Sequence, residues 1–372
     1  MTEAEPLQQT DRTYVRYRNR KFSYFSGCDY FRLSSHPKVI AALHEGLRKY
    51  GLNVAASRMT TGNHMLYHRL EERLRQFFQA EDALLVSSGY MTNLVVAQAL
   101  ARSFSHALVD ERAHPSLLDA ARLLDCPVVQ FRHGEATGLA GALRRCGPAA
   151  RPIVLTDGMF ARDGSAAPLR DYLEALPRDG LLLVDDAHGG GVLGRTGKGT
   201  LEHAGVRRHR IIQTVTLSKA FGAFGGAILA TPALRRRILN QSRLFIGSTP
   251  LPLPLAAAAI EGVGLLQTDG TLRKRLARNS LYVKNGLREA GLALDDTPGP
   301  IVALPPKGRA AAVKLKRELL AANIYPPFIK YPGGPAEGYF RFVISSEHSP
   351  GQLDRLLKVI LRTEAPGRVG RK

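Results

Sequence analysis

Cysteine is scarce in this chain. There are three in 372 residues, Cys28, Cys126 and Cys146, far apart and without a CxxC pair. That usage argues against a disulfide framework or a zinc site, so no metal is expected, and it suits a reducing, cytoplasmic compartment. Long apolar runs are also missing. No stretch approaches about 18 residues without a charge or a Pro/Gly break, so no transmembrane span is expected. The opening MTEAEPLQQTDR lacks the apolar core of a secretory signal. No internal repeat is visible. Acidic residues are few beside basic ones, 32 against 52, for a net charge of +20. An excess of that size raises nucleic acid as a partner. However, the basic residues fall in scattered groups such as Arg144-Arg145, Arg207-Arg208 and Arg235-Arg236-Arg237, with no aromatic-interleaved RNA-binding motif and no zinc finger. No nucleic-acid partner is therefore expected. Solvated helix faces, or attraction of an acidic, phosphate-bearing substrate, account for the charge. The basic segment from Arg12 to Lys21, with Tyr14 and Tyr17, reads either as the lining of an entrance for such a substrate or as a surface arm.

What is present is the alternation of an α/β protein. Residues 1 to about 35 read as an irregular arm. Helices are expected over 38–50 and 64–79, the second with Leu66, Leu70, Leu74 and Phe77-Phe78 at helical spacing. From Ala83 onward short uncharged runs alternate with helical stretches: 83–86, 106–109, 128–131, 153–155, 181–184, 211–215 and 227–229. Uncharged strands between helices predict a mostly parallel sheet sandwiched by helices. Further helices over 273–290, 310–322 and 350–363, with strands over 301–304 and 339–345, predict a smaller C-terminal α+β domain. The expected division is an arm over 1–40, a large domain over 41–265, the C-terminal domain over 266–363 and a flexible basic tail over 364–372.

In such sheets ligands bind beyond the carboxyl ends of strands. Asp110, Asp157, Asp185 and Lys219 all lie there. Lys219 follows a strand in Thr216-Leu-Ser-Lys219 and precedes a run of small residues. Asp185-Asp-Ala-His188 follows the preceding strand, and Val86-Ser-Ser-Gly-Tyr90 carries a third strand into a helix. A lysine can form an imine with an aldehyde, a carboxylate can hold a proton on a pyridine nitrogen, and a glycine-opened helix N-terminus can hold a phosphate. These three needs are those of pyridoxal 5′-phosphate (PLP).

Gly89-Tyr90, Asp110 to His114, Asp157-Gly through Asp163-Gly164, Asp185 to His188 and Thr216 to Lys219 stand in an order and spacing that resembles the α-oxoamine synthase family of fold-type I PLP enzymes, from about Asp29 to the final helix. The resemblance implies that Lys219 carries the cofactor imine and moves the α-proton. It also implies that Asp185 pairs with the ring nitrogen, His188 bonds the phenolic oxygen and His114 stacks on the ring. Ser88, Gly89, Tyr90 and Thr216 would hold the phosphate. Ser248 and Thr249 would reach it from the other subunit of a homodimer. Arg341 would clamp the carboxylate of the amino-acid substrate. The implied reaction is decarboxylative condensation of a small amino acid (alanine, glycine or serine) with an acyl thioester, acyl-CoA or carrier-bound, to give an α-amino ketone.

Two departures stand out. Where the family has Asn-Asp-Tyr-Leu-Gly-Leu, this chain has Cys28-Asp-Tyr-Phe-Arg-Leu33, so a substrate-facing Asn becomes Cys28 and a Gly becomes Arg32. A Ser expected in the turn after Asp157 is Ala161. These changes motivate a second reading, a PLP aminotransferase or aldolase-type lyase that uses no acyl-CoA. Retention of Lys219, Asp185 and His188 together argues against a non-catalytic basic binding protein.

Overall fold

The structure, a computed structural model, describes residues 5–330 and 334–364. The tail expected over 364–372 lies outside it apart from Glu364. The described residues form two compact units. One comprises His36–Ala161 and Ser165–Gly270. The other comprises the described parts of Met1–Ser35, Arg162–Gly164 and Thr271–Lys372.

The irregular reading of residues 1–35 is corrected. Strands β1 (Gln8–Asp11), β2 (Tyr14–Tyr17) and β3 (Arg20–Ser23) form an antiparallel meander. Val15 and Phe22 pair across it and are buried. Arg18 and Asn19, both at positive φ (46° and 59°), make the two-residue turn between β2 and β3. That is the geometry whose twist matches paired strands.

The larger unit is built on seven strands: β4 (Asp82–Val86), β5 (His106–Asp110), β6 (Val128–Phe131), β7 (Pro152–Asp157), β8 (Leu181–Asp185), β9 (Ile211–Thr216) and β10 (Gly226–Ala230). Their order is β4-β10-β9-β8-β7-β5-β6, with β10 antiparallel to both neighbours and the other pairings parallel. Residues of β7 and β9 are buried along their whole length. This is the expected pattern for a sheet covered on both faces. One apolar layer gathers Val95, Leu117, Ile153 and Leu183, and another gathers Leu108, Val154, Tyr172 and Leu182. From β5 the chain goes outward to β6 and returns to β7 on the other side of β5. The loops after β5 and β7 therefore diverge at a topological switch point. Parallel register makes Asp157 the partner of Asp185, and Asp185 the partner of Thr214. The strand ends thus deliver a row of polar side chains to one edge.

In the smaller unit β11 (Ile301–Leu304), β12 (Phe328–Ile329) and β13 (Tyr339–Val343) make an antiparallel sheet in the order β11-β13-β12. The helices Gly270–Glu289, Arg309–Ala321 and Pro350–Glu364 accompany it. Leu287, Leu315, Phe340, Phe342 and Leu356 share its core with Phe25.

Candidate active site

Lys219 lies three residues beyond β9. The turn that follows closes through Leu217 N–H to Gly225 C=O (2.9 Å) and Gly222 N–H to Lys219 C=O (3.2 Å), with Gly222 and Gly225 at positive φ. His188 comes from the turn after β8 and is buried. The structure brings the two together, with Lys219 Nζ 2.8 Å from His188 Nε2.

Asp185 ends β8. Its Oδ1 accepts from the N–H of Ala187 at 3.1 Å, and its Oδ2 accepts from Asn93 Nδ2 at 2.6 Å. Asp186, its neighbour in sequence, is turned to other partners: the Thr200 N–H (2.8 Å), Thr200 Oγ1 (2.6 Å) and Gln213 Nε2 (2.6 Å). Burial pushes the Asp186 pKa up to about 6 against these donors. Asp186 is thus committed to holding the 186–200 loop, and Asp185 remains the acid beside His114 and Asn93.

His114 caps the helix Pro115–Leu123, its Nδ1 accepting from the Ser116 N–H at 3.2 Å. Its own N–H donates to Asp157 Oδ2 at 2.8 Å. Burial lowers the His114 pKa; Asp185 opposes that and Lys219 reinforces it. The Asp157 pKa is raised well above the usual carboxylate range, first by burial and next by Asp185.

β4 leads through Ser88 into the helix Gly89–Ala99. The Ser88 side chain caps the helix by accepting from Met91 N–H at 3.4 Å. The first N–H groups of a helix have no intrahelical acceptor and form an anion site. A Cβ on Gly89 would lie 2.7 Å from both Cβ and Oγ1 of Thr216, so only glycine lets this helix start abut β9. Thr216 Oγ1 accepts from the Ser218 N–H at 3.2 Å. Tyr90 is partly exposed; its hydroxyl donates to Asp119, and its ring meets that of His114 edge-on at 6.0 Å. Ser248 and Thr249 line a small cleft in the same unit with Arg58, Tyr67 and Ser87. Ser248 donates to the Leu244 carbonyl.

Cys28 and Arg341 belong to the smaller unit and are brought together there, with Arg341 Nη2 3.6 Å from Cys28 Sγ. Arg32, four residues on, is buried at φ 53°. Its guanidinium donates to the carbonyls of Tyr24 (3.1 Å) and Ser26 (3.2 Å). A left-handed φ is one that glycine adopts without strain, which is physically consistent with the Gly expected at this position.

Sequence reasoning missed Asn93, Ser116 and Thr214, all buried, which link these groups. A lone amide one turn into the helix, immediately before the apolar stretch Leu94-Val-Val-Ala97, was the available signal. A cavity of about 330 Å³ lies at the opposite ends of the strands, beside Leu181, Arg208, Ile211 and Arg237. It is no part of this cluster. Among the described residues no group of three His, Cys, Asp or Glu could hold a metal ion, and no helix is long and apolar enough to cross a membrane.

An imidazole against a lysine amine, a carboxylate with fixed donors, a second imidazole kept neutral, and a helix N-terminus opened by glycine together define a PLP-type site at the strand ends of an α/β transferase. The family model for aminotransferase class I and II matches residues 26–360. The chain is 37% identical over 342 residues to 8-amino-7-oxononanoate synthase of Thioalkalivibrio sulfidiphilus (strain HL-EbGR7), covering 91% of this chain and 87% of that protein. The serine palmitoyltransferase of Sphingomonas wittichii superposes with a TM-score of 0.90 at 28% identity, covering 96% of this chain and 90% of that one. That of S. paucimobilis, a lysine-to-alanine variant with a bound PLP–myriocin adduct, superposes with a TM-score of 0.89 at 27% identity over 96% and 90%. The chain belongs to the aminotransferase class I and II family, within it to the α-oxoamine synthases of fold type I.

Proposed function

We propose that this protein is a PLP-dependent α-oxoamine synthase that condenses alanine, glycine or serine with an acyl thioester. A carbon–carbon bond forms between the amino-acid α-carbon and the acyl carbonyl, the thiol leaves, and the amino-acid carboxyl departs as CO₂. The observation that carries the reading is the pairing of Lys219 Nζ with His188 Nε2 at 2.8 Å, at the same sheet edge as Asp185.

The residues present fit the cofactor. Lys219 would bind its aldehyde carbon, His188 its phenolic oxygen and Asp185 its ring nitrogen. The face of His114, and the first N–H groups of the helix Gly89–Ala99 with Thr216, would take its ring and phosphate. Bound there, PLP supplies an electron sink that stabilises negative charge at the substrate α-carbon. Lys219 Nζ would be the base that moves the substrate α-proton. The charge of Asp185 holds a proton on the ring nitrogen by pairing. His114, neutral because it is buried, presents a flat face without adding a competing cation. The planar fork of Arg341 matches the substrate carboxylate bidentately. Ser248 and Thr249 act on the neighbouring site of a homodimer. Three cysteines far apart in the sequence, without a CxxC pair, accord with work in the cytoplasm.

A matrix of amino acids against acyl thioesters, read by free thiol and product mass, tests the reading. Thiol release that depends on a small amino acid is expected. Amino-group transfer or retro-aldol cleavage without thiol release would favour the reading motivated by Cys28 and Ala161.

A further inference from the structure

We propose that Asn93 is a positioning residue that couples Asp185 to His114 through Ser116 and thereby sets which nitrogen of the His114 ring carries the proton. The inference rests on the cofactor-site reading above. Asn93 is fully buried one turn inside the helix Gly89–Ala99. Its Nδ2 lies 2.6 Å from Asp185 Oδ2 and 2.9 Å from Ser116 Oγ, and its Oδ1 accepts from Thr214 Oγ1 at 2.7 Å.

Proton counting decides the rest. Turned over, the amide would set Oδ1 against a carboxylate oxygen, two acceptors at hydrogen-bond distance, and would take the acceptor away from Thr214. The observed orientation is therefore the one the neighbours enforce. Both Nδ2 protons are then spent, one on Asp185 and one on Ser116. The Ser116 hydroxyl has a single proton. It lies 2.8 Å from His114 Nδ1 and 3.4 Å from Asp185 Oδ2, and the shorter contact takes it. The Ser116 N–H also points at Nδ1, at 3.2 Å. A nitrogen that receives two donors carries no proton, so the neutral ring holds its proton on Nε2.

Asn93 enforces this in two ways. It occupies Asp185 Oδ2, the competing destination for the Ser116 proton, and it fills an acceptor position on Ser116 Oγ. Without Asn93 the Ser116 hydroxyl turns to the carboxylate. Its lone pair then faces His114 Nδ1, which keeps only the longer Ser116 N–H donor (3.2 Å), so the preference for Nε2–H weakens and the Nδ1–H form becomes populated.

The test uses ¹⁵N-histidine-labelled holoenzyme without substrate, with the His114 ring signals assigned by their loss in His114→Gln. Wild type should show a single Nε2–H tautomer. Asn93→Leu should populate the Nδ1–H tautomer and lower kcat about 10²-fold, the scale of a misplaced reactive group, with a smaller change in KM. Where that variant does not fold, Thr214→Val, which frees Oδ1 while leaving Asn93 in place, should move the ring the same way to a lesser degree. In a Ser116→Ala background the link is cut, and changing Asn93 should leave the ring signals where they are. A wild-type ring protonated at Nδ1, or a pure Nε2–H tautomer kept in Asn93→Leu and Thr214→Val alike, overturns the proposal. Because the signal is read without substrate, absent acyl transfer would count against the proposed reaction and not against the relay.

Discussion

Asp157 and Asp185 are register partners at the ends of β7 and β8, two carboxylates side by side on adjacent parallel strands. Burial, and after it the charge of Asp185, push the Asp157 pKa well above the usual carboxylate range. Asp157→Asn should therefore be mild, because an amide oxygen can still accept from the His114 N–H. Asp185→Asn should cost at least about 10²-fold in kcat, the scale of losing one preorganised electrostatic group. Near-wild-type turnover in Asp185→Asn would take that residue out of the proposed role.

The same shift has a stability signature. A native-state carboxyl with a raised pKa keeps a proton that the unfolded chain has released above about pH 4. Stability should then fall as pH rises above that point, by up to about 1.4 kcal/mol per pH unit, until Asp157 ionises in the folded protein. Subtracting the pH profile of Asp157→Asn from that of wild type, by denaturant titration, isolates the slope. A rising or flat difference profile between pH 4 and 6 would contradict the assignment.

Lys219→Ala should give protein that folds and binds PLP without forming the imine absorbance band, and turnover should drop to background. Borohydride reduction of wild type followed by peptide mapping should place the pyridoxyl group on Lys219. A label on any other lysine would move the site.

At Gly89 an added methyl would meet both Cβ and Oγ1 of Thr216 at 2.7 Å. Gly89→Ala should destabilise by roughly 1–3 kcal/mol, the cost of forcing a methyl into a packed contact, and weaken cofactor retention. Thr216→Ser should not rescue it, since serine keeps both clashing atoms. Thermal unfolding and cofactor dialysis of the single and double variants check both statements.

The strands that carry the site were legible because they are buried on both faces and read as uncharged runs. Those expected over 153–155, 181–184 and 211–215 fall within Pro152–Asp157, Leu181–Asp185 and Ile211–Thr216. Strand direction leaves no trace in such runs, so the antiparallel β10 was not foreseen. The meander β1 to β3 was hidden because its turn uses Arg18-Asn19 at positive φ in place of a glycine. The helix Pro232–Gln241 was passed over beneath its Arg235-Arg-Arg237 run, although Thr231 before Pro232 is a cap and start signal. Asn93, Ser116 and Thr214 escaped for another reason. Each looks like ordinary helix or strand polarity until the fold brings three elements to one point, and only distances reveal that they share protons.

Arg341 carries the last prediction. It sits on β13 opposite Ala303, with its guanidinium against Cys28. A planar guanidinium suits a carboxylate far better than a neutral thiol, which is a weak acceptor. If the substrate carboxylate is the guanidinium's partner, Arg341→Ala should weaken amino-acid binding by about 2–5 kcal/mol, the range for truncating one member of a buried charge pair. Arg341→Lys should recover only part of it, since an ammonium cannot offer the bidentate fork. Cofactor binding should be unchanged in both, because that step involves no substrate carboxylate. Titrating the amino acid and following the change in cofactor absorbance separates these effects. An unchanged amino-acid Kd in Arg341→Ala would remove Arg341 from the site and leave Cys28 beside a purely structural arginine.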